Sequence, residues 1–196
     1  MGIPGVFATA FEPDGREYAE PVGTAVIVPG RGYPPQAPLL FFTGIALLQH
    51  GWRVEHHWWD PPPYESDRRT AAWVRREVEG ALPTSGNVLL VGKSLGTWAA
   101  PVAAERGLPA VWLTPLLDAP EVVHAISTNP APQLVVGGTA DDLWNSGVAG
   151  DLASPTCTVA EIPGADHALM VPGDSVAGVA AHVEVQRAVV AWLGAR

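Results

Sequence analysis

Three side chains in this sequence are of the types that together turn an alcohol into a nucleophile. Ser94 lies in the stretch GKSLG (residues 92–96), Asp141 follows the apolar run QLVVGG, and His167 follows the tripeptide GAD. A serine hydroxyl is a weak nucleophile, which needs a neutral imidazole to accept its proton and a carboxylate to orient that imidazole. The chemistry therefore depends on whether the fold brings these residues together.

The setting of Ser94 favours a nucleophile. An apolar run ends just before GKSLG, and a segment with helical spacing begins at Leu95. In a Gly-X-Ser-X-Gly turn between a strand and a helix, the glycines allow close packing and the serine takes a strained conformation that exposes its hydroxyl. The alternative is that Ser94 merely caps the following helix.

The elements that must position these residues alternate between two kinds of pattern. Short apolar runs suit strands that are buried on both faces, as in a parallel sheet. They are Thr24–Val28, Asn87–Val91, Ala110–Leu113 and Gln133–Val136, with Trp52–Trp58 and Thr156–Ile162 less clear. Segments with helical spacing lie between and after them, at Leu39–His50, Ser66–Leu82, Leu95–Arg106, Ala119–Ser127 and Ser175–Leu193.

This alternation predicts an α/β fold, with a doubly wound, mostly parallel sheet flanked by helices. The length of 196 residues suits a single domain over residues 1–196. Near the N-terminus, Gly5–Gly23 contains the turn signal PDG between two short extended runs. That segment predicts an antiparallel hairpin on the sheet edge.

In open α/β sheets ligands bind at the carboxyl ends of the strands, and each of the three residues follows such an end. Their chain order is serine, acid, histidine. With this order and the GKSLG turn, the chain from about Thr24 onward resembles the α/β-hydrolase superfamily, especially its small cap-less bacterial members of dienelactone-hydrolase or esterase type. The resemblance implies Ser94 as nucleophile, Asp141 as orienting acid and His167 as general base.

One other aspartate is an alternative for the acid. Asp142 is adjacent to Asp141 and is either the acid or the N-cap of a segment beginning at Leu143. Asp141 is favoured because it comes first off the strand. Asp166 precedes the histidine directly, and since adjacent residues in an extended loop point apart, its expected role is structural.

The oxyanion hole is expected to use the backbone N–H of Leu95 and a second N–H from the loop PGRGY (residues 29–33). Similarity to the superfamily places the second donor at Gly30 or Arg31, and the sequence does not choose between them. Lys93, inside the GKSLG turn, is expected to point behind the serine and is assigned no role as a base.

Aromatic residues near the strand ends are candidates for a substrate pocket, namely Tyr33, Trp58 and Trp59. Core packing is the alternative for the tryptophans. The neighbouring histidines His56 and His57 do not predict a metal site, because adjacent side chains on a strand point to opposite faces.

The composition narrows the function classes. A net charge of −9 and a pI near 5.0 disfavour nucleic-acid binding, and a single cysteine excludes an intrachain disulfide. No signal peptide or membrane segment is indicated, so a cytoplasmic location is expected. No cofactor is indicated either. The expected function is hydrolysis of a small carboxylic ester or thioester through an acyl-enzyme, with acyl transfer from a carrier or non-catalytic ligand binding as alternatives. The oligomeric state is left open.

Overall fold

The computed structural model describes residues 20–195, which contain a six-stranded sheet. All neighbouring strands are parallel, in the order β2-β1-β3-β4-β5-β6. The strands are β1 (Gly23–Val28), β2 (Trp52–His56), β3 (Val88–Lys93), β4 (Ala110–Leu113), β5 (Gln133–Gly138) and β6 (Cys157–Ile162). Because every strand runs in the same direction, the six carboxyl ends meet at one edge of the sheet and the six amino ends at the other.

Helices connect the strands and cover both faces of the sheet. They are α1 (Pro38–Gln49), α2 (Asp67–Ala81), α3 (Ala100–Arg106), α4 (Pro120–Thr128), α5 (Ser146–Leu152) and α6 (Ser175–Gly194). A 3₁₀ segment, Ser94–Ala99, precedes α3 directly. Pro101 occupies the first turn of α3, where its missing N–H leaves no hydrogen bond unmade.

Two apolar layers hold the sheet between its helices. Strand residues alternate between the layers, so the central strands are buried on both faces, and every residue of β3 is buried. One layer contains side chains from α1 and α6, and the other contains side chains from α2, α3, α4 and α5. This double burial explains why the central strands read as continuous apolar runs in the sequence.

Helix α6 is 20 residues long and apolar. By length and composition it is the one helix within residues 20–195 that could cross a membrane. Its buried residues, including Ala181, Val185 and Val189, pack into the same apolar layer as α1. On the other side of the helix, Val176, Val179, Val183 and Val190 are exposed.

The predicted fold class is confirmed: the structure is a parallel α/β sheet flanked by helices and lacks a cap domain within the described residues. The predicted N-terminal hairpin falls on residues outside those described. The short helix α5 was not predicted. Its N-cap, Asn145, accepts hydrogen bonds from Gly147 and Val148, but two glycines within seven residues hide its helical pattern.

Candidate active site

Ser94 is the first residue of the 3₁₀ segment, at the sharp turn that follows β3, and its φ is 51°. A Cβ on Gly96 would lie 2.4 Å from the carbonyl oxygen of Val28, and one on Gly92 would lie 2.7 Å from the ring of Trp112. Only glycine allows such close approach of the turn to β1 and β4. The backbone of the serine is therefore held in a left-handed conformation that residues other than glycine rarely adopt.

The hydroxyl of Ser94 meets the imidazole of His167. Their Oγ and Nε2 atoms are 2.8 Å apart, and Nδ1 of the same ring is 2.7 Å from Oδ2 of Asp141. Since an ionised carboxylate only accepts hydrogen bonds, Asp141 selects the tautomer that carries its proton on Nδ1. The lone pair on Nε2 is then available for the proton of the serine hydroxyl.

Asp141 is fixed by its own turn at the end of β5. Its backbone N–H donates to Gly138, and its Oδ1 accepts the N–H of Leu143 at 2.9 Å. The side chain is 1% exposed, which keeps water from competing for the carboxylate. Asp142 points into solvent and caps no helix, because the following helix begins at Ser146 with Asn145 as its cap.

His167 is positioned by a tight loop between β6 and α6. Asp166 shapes this loop by accepting the backbone N–H groups of Ala168 and Met170 at 2.8 and 3.0 Å. Leu169, within the same loop, has φ of 56°. Asp166 therefore has the structural role expected of it, while the adjacent imidazole remains 33% exposed and reaches the serine.

The loop after β1 lies directly beside the serine. A Cβ on Gly30 would lie 3.3 Å from the Cβ of Ser94, so the two backbones come close together at this point. The side chain of Arg31 turns away and donates to the carbonyls of Pro61 and Pro62 at 3.2 and 2.8 Å. The loop thus places backbone close to the hydroxyl, and both candidate donors, Gly30 and Arg31, remain open.

Comparison with known proteins gives a fold but no close relative. No family model matches the chain, and no curated protein matches it. Three solved structures illustrate the similarity. A candidate dienelactone hydrolase from Klebsiella pneumoniae superposes with a TM-score of 0.63 at 18% identity, covering 94% of this chain and 91% of that one.

The other two are described as an α/β serine hydrolase without lid, from Xanthomonas campestris, and the esterase domain of a Rhodothermus marinus protein. Their TM-scores are 0.58 and 0.60, and both are 18% identical to this chain. The matches cover 89% of this chain in each case, and 84% and 87% of the respective partners. The chain has the α/β-hydrolase fold. At this level of identity the likeness concerns the fold and not the activity.

Within the α/β-hydrolase fold, the aromatic residues proposed for a pocket lie in different surroundings. Trp58 is 55% exposed in the loop after β2. Trp59 packs against Trp73 of α2, with ring centroids 4.8 Å apart. This contact agrees with core packing, the alternative to a role in a substrate pocket. Tyr33 accepts the N–H of Leu39 with its hydroxyl, so its oxygen secures the start of α1.

His56 and His57 lie on opposite faces of the sheet. A Cβ added to Gly44 in α1 would lie 3.4 Å from Nε2 of His56. On the other face, Nε2 of His57 is 3.3 Å from Oε2 of Glu77 in α2. Burial lowers the pKa of His56. Residues 20–195 contain no group of three or more histidine, cysteine or acidic side chains placed to hold a metal ion.

One supporting residue was missed in the sequence. Thr97 donates its hydroxyl to the carbonyl of Ser94 at 2.6 Å and accepts the N–H of Leu116 at 3.3 Å, which ties the turn to the loop after β4. Its position three residues after the serine could have indicated this role, because hydroxyls there reach back to the preceding turn. Lys93, which was assigned no role as a base, is buried in the structure, with 3% of its surface exposed.

Proposed function

We propose that this protein is a serine hydrolase that cleaves a small carboxylic ester or thioester through an acyl-enzyme. The observation that carries the proposal is the continuous line of contacts from Ser94 through His167 to Asp141, at 2.8 and 2.7 Å. A serine that only capped a helix would need neither the imidazole nor the buried carboxylate. The strained turn at Ser94 supports the same conclusion, since strain of this kind concentrates at functional sites.

The proposed reaction begins when His167 takes the proton of Ser94 as its oxygen attacks the substrate carbonyl. The carbonyl oxygen becomes an oxyanion, held by the N–H of Leu95 and by a second N–H from Gly30 or Arg31. Collapse of this intermediate releases the alcohol or thiol, which receives the proton from His167. Water then attacks the acyl-enzyme, and His167 takes its proton in the same way. Asp141 orients the imidazole in both acylation and deacylation.

Exposure of the site supports a small or flexible substrate. Ser94 is partly exposed, and the imidazole of His167 is 33% exposed. An open site of this kind buries little of a ligand, whereas an enclosed tunnel is needed to bury a long acyl chain. We therefore expect short acyl groups to be cleaved faster than long ones.

The test is a panel of p-nitrophenyl esters with acyl chains from acetyl to octanoyl, combined with labelling by a fluorophosphonate probe. Wild type is expected to hydrolyse the short esters and to be labelled. Ser94→Ala should abolish labelling, and His167→Ala should slow both reactions by at least about a thousandfold. The matched control is Ser127→Ala, since Ser127 is an exposed serine of α4 that should be dispensable.

Folded wild-type protein that is neither labelled nor active on any ester would overturn the proposal and favour a ligand-binding role. Adding competing alcohols and amines to the assay tests the remaining alternative, acyl transfer. Products formed mainly with those acceptors instead of water would identify a transferase.

A further inference from the structure

Lys93 is the last residue of β3 and directly precedes the candidate nucleophile. Its side chain is buried, with 3% of its surface exposed. A Cβ added to Gly30 would lie 3.0 Å from Cδ of Lys93. The ammonium of Lys93 lies 4.7 Å from the centroid of the Tyr33 ring. The lysine therefore runs beneath the loop that follows β1 and ends against an aromatic face, which attracts cations.

The ammonium also lies in the field of two carboxylates, one in each of the neighbouring loops. Asp141 belongs to the loop after β5 and Asp166 to the loop after β6, and both favour the charged form of Lys93. No carboxylate within residues 20–195 is close enough to form an ion pair with it. Burial is the larger effect and lowers the pKa of Lys93 to about 8.

Such an ammonium destabilises the folded chain. Removing a charge from water is unfavourable unless a partner at hydrogen-bond distance compensates for it, and a ring at 4.7 Å compensates only in part. Methionine has a similar length and shape, and it would fill the same space without a charge. Packing alone therefore does not account for a lysine at this position.

We propose that Lys93 is a positioning residue of the candidate site, whose charge holds together the three loops that carry the oxyanion donor, the acid and the base. The inference rests on the proposed function. Lys93 does not touch the reacting atoms in this proposal. It attracts the Tyr33 ring from the first loop, Asp141 from the second and Asp166 from the third, so that Ser94 and His167 stay at hydrogen-bond distance.

Three other titratable groups face this cluster. The imidazole of His167 lies 2.7 Å from the carboxylate of Asp141. Tyr33 faces Lys93 directly, and burial raises the pKa of its hydroxyl. From α6, His182 faces Asp166, and burial lowers the pKa of His182.

The test compares Lys93→Met, which keeps the volume and removes the charge, with Lys93→Arg, which keeps the charge. For Lys93→Met we expect kcat for p-nitrophenyl acetate to fall at least about tenfold, with KM changing less than threefold. Lys93→Arg should recover part of this loss. In wild type kcat should decline above pH 8 as Lys93 loses its proton, and this decline should be absent in Lys93→Met.

A merely structural lysine would give a different result. Unchanged kcat in Lys93→Met, or a decline above pH 8 that persists in that variant, would overturn the proposal. If Lys93→Met does not fold, the same comparison is made between Lys93→Gln and Lys93→Arg, with the same two outcomes.

A readout that does not need activity separates this inference from the proposed function. Hydrogen exchange of the Ala168 and Met170 amides, which bond to Asp166, reports on the histidine loop. Faster exchange in Lys93→Met than in Lys93→Arg supports positioning by charge even if the wild-type protein hydrolyses no ester. Equal exchange in the two variants contradicts it.

Discussion

Nδ1 of His167 lies 2.7 Å from Oδ2 of Asp141, a carboxylate that is 1% exposed. The next residue along the chain, Asp142, is exposed and is not the hydrogen-bond partner of Nδ1. Two adjacent aspartates therefore differ completely in surroundings, and this difference provides a test of the acid with its control built into the sequence.

Asp141→Asn should lower kcat for ester hydrolysis by roughly 10³- to 10⁴-fold, because an amide no longer selects the tautomer with the proton on Nδ1. Asp142→Asn should leave kcat within about twofold of wild type. The measurement is steady-state hydrolysis of p-nitrophenyl acetate by variants whose folding has been checked by circular dichroism. Equal losses in the two variants would contradict the assignment of Asp141.

Gly96→Ala should destabilise the fold by about 3 kcal/mol, since the added Cβ would lie 2.4 Å from the carbonyl oxygen of Val28 and the backbone must shift. Gly150→Ala is the control, because Gly150 lies within α5 and a Cβ there would meet no atom within 4 Å. The control should gain about 0.5–1 kcal/mol from improved helix propensity. Urea unfolding at equilibrium measures both changes, and a tolerated Gly96→Ala would argue against the tight turn.

Gln133→Ala should cost about 3 kcal/mol of unfolding free energy. Its side-chain oxygen accepts the indole N–H of Trp112 at 2.9 Å, and its amide donates to the carbonyl of Ile126 at 2.8 Å, both in buried surroundings. Truncation leaves those groups without partners and opens a cavity. Gln36→Ala, at an exposed position, should change stability by less than about 0.5 kcal/mol. Similar values for the two variants would contradict the structural role of Gln133.

The stability of the folded chain should depend on pH through Lys93. Its pKa is about 8 in the folded protein against 10.5 for an unperturbed lysine. Below pH 8 both states carry the charge, but the folded state must bury it, so Lys93→Met should be more stable than wild type by up to about 3 kcal/mol. Between pH 8 and 10.5 the folded state releases its proton first, so wild type gains stability relative to the variant and the difference disappears.

Urea titrations of both proteins at pH 7, 9 and 10.5 measure this convergence. A stability difference that stays constant over the range would show that the ammonium is not desolvated in the folded protein. Lower stability of Lys93→Met at pH 7 would show that contacts of the charge outweigh its burial.

Much of the fold follows from local patterns in the sequence. The runs Ala110–Leu113 and Ser175–Leu193 predict β4 and α6 to within one residue, because buried parallel strands are continuously apolar and a long helix gives a sustained period. The ends of the strands were predicted less accurately. Strand β3 extends to Lys93, beyond the apolar run, because pairing with β4 and not hydrophobicity determines where it ends.

The contacts that position the candidate site were harder to predict. Hydrogen bonds such as that from Thr97 to the carbonyl of Ser94, or from Leu143 to Asp141, are formed in turns whose geometry depends on neighbouring strands. The hydrogen bonds from Arg31 to the carbonyls of Pro61 and Pro62 join segments that are 30 or more residues apart in the sequence. No local pattern encodes such pairs, since they depend on the sheet order.

The uniform direction of the strands has a practical side. The loop at residues 82–87, between α2 and β3, leaves the sheet at the edge opposite to Ser94, and its residues Thr84, Ser85 and Gly86 are exposed. A short affinity tag or a surface linkage introduced there would be separated from the serine by the full length of β3. The protein could thus be immobilised on a solid support with the edge that carries Ser94 facing the solution.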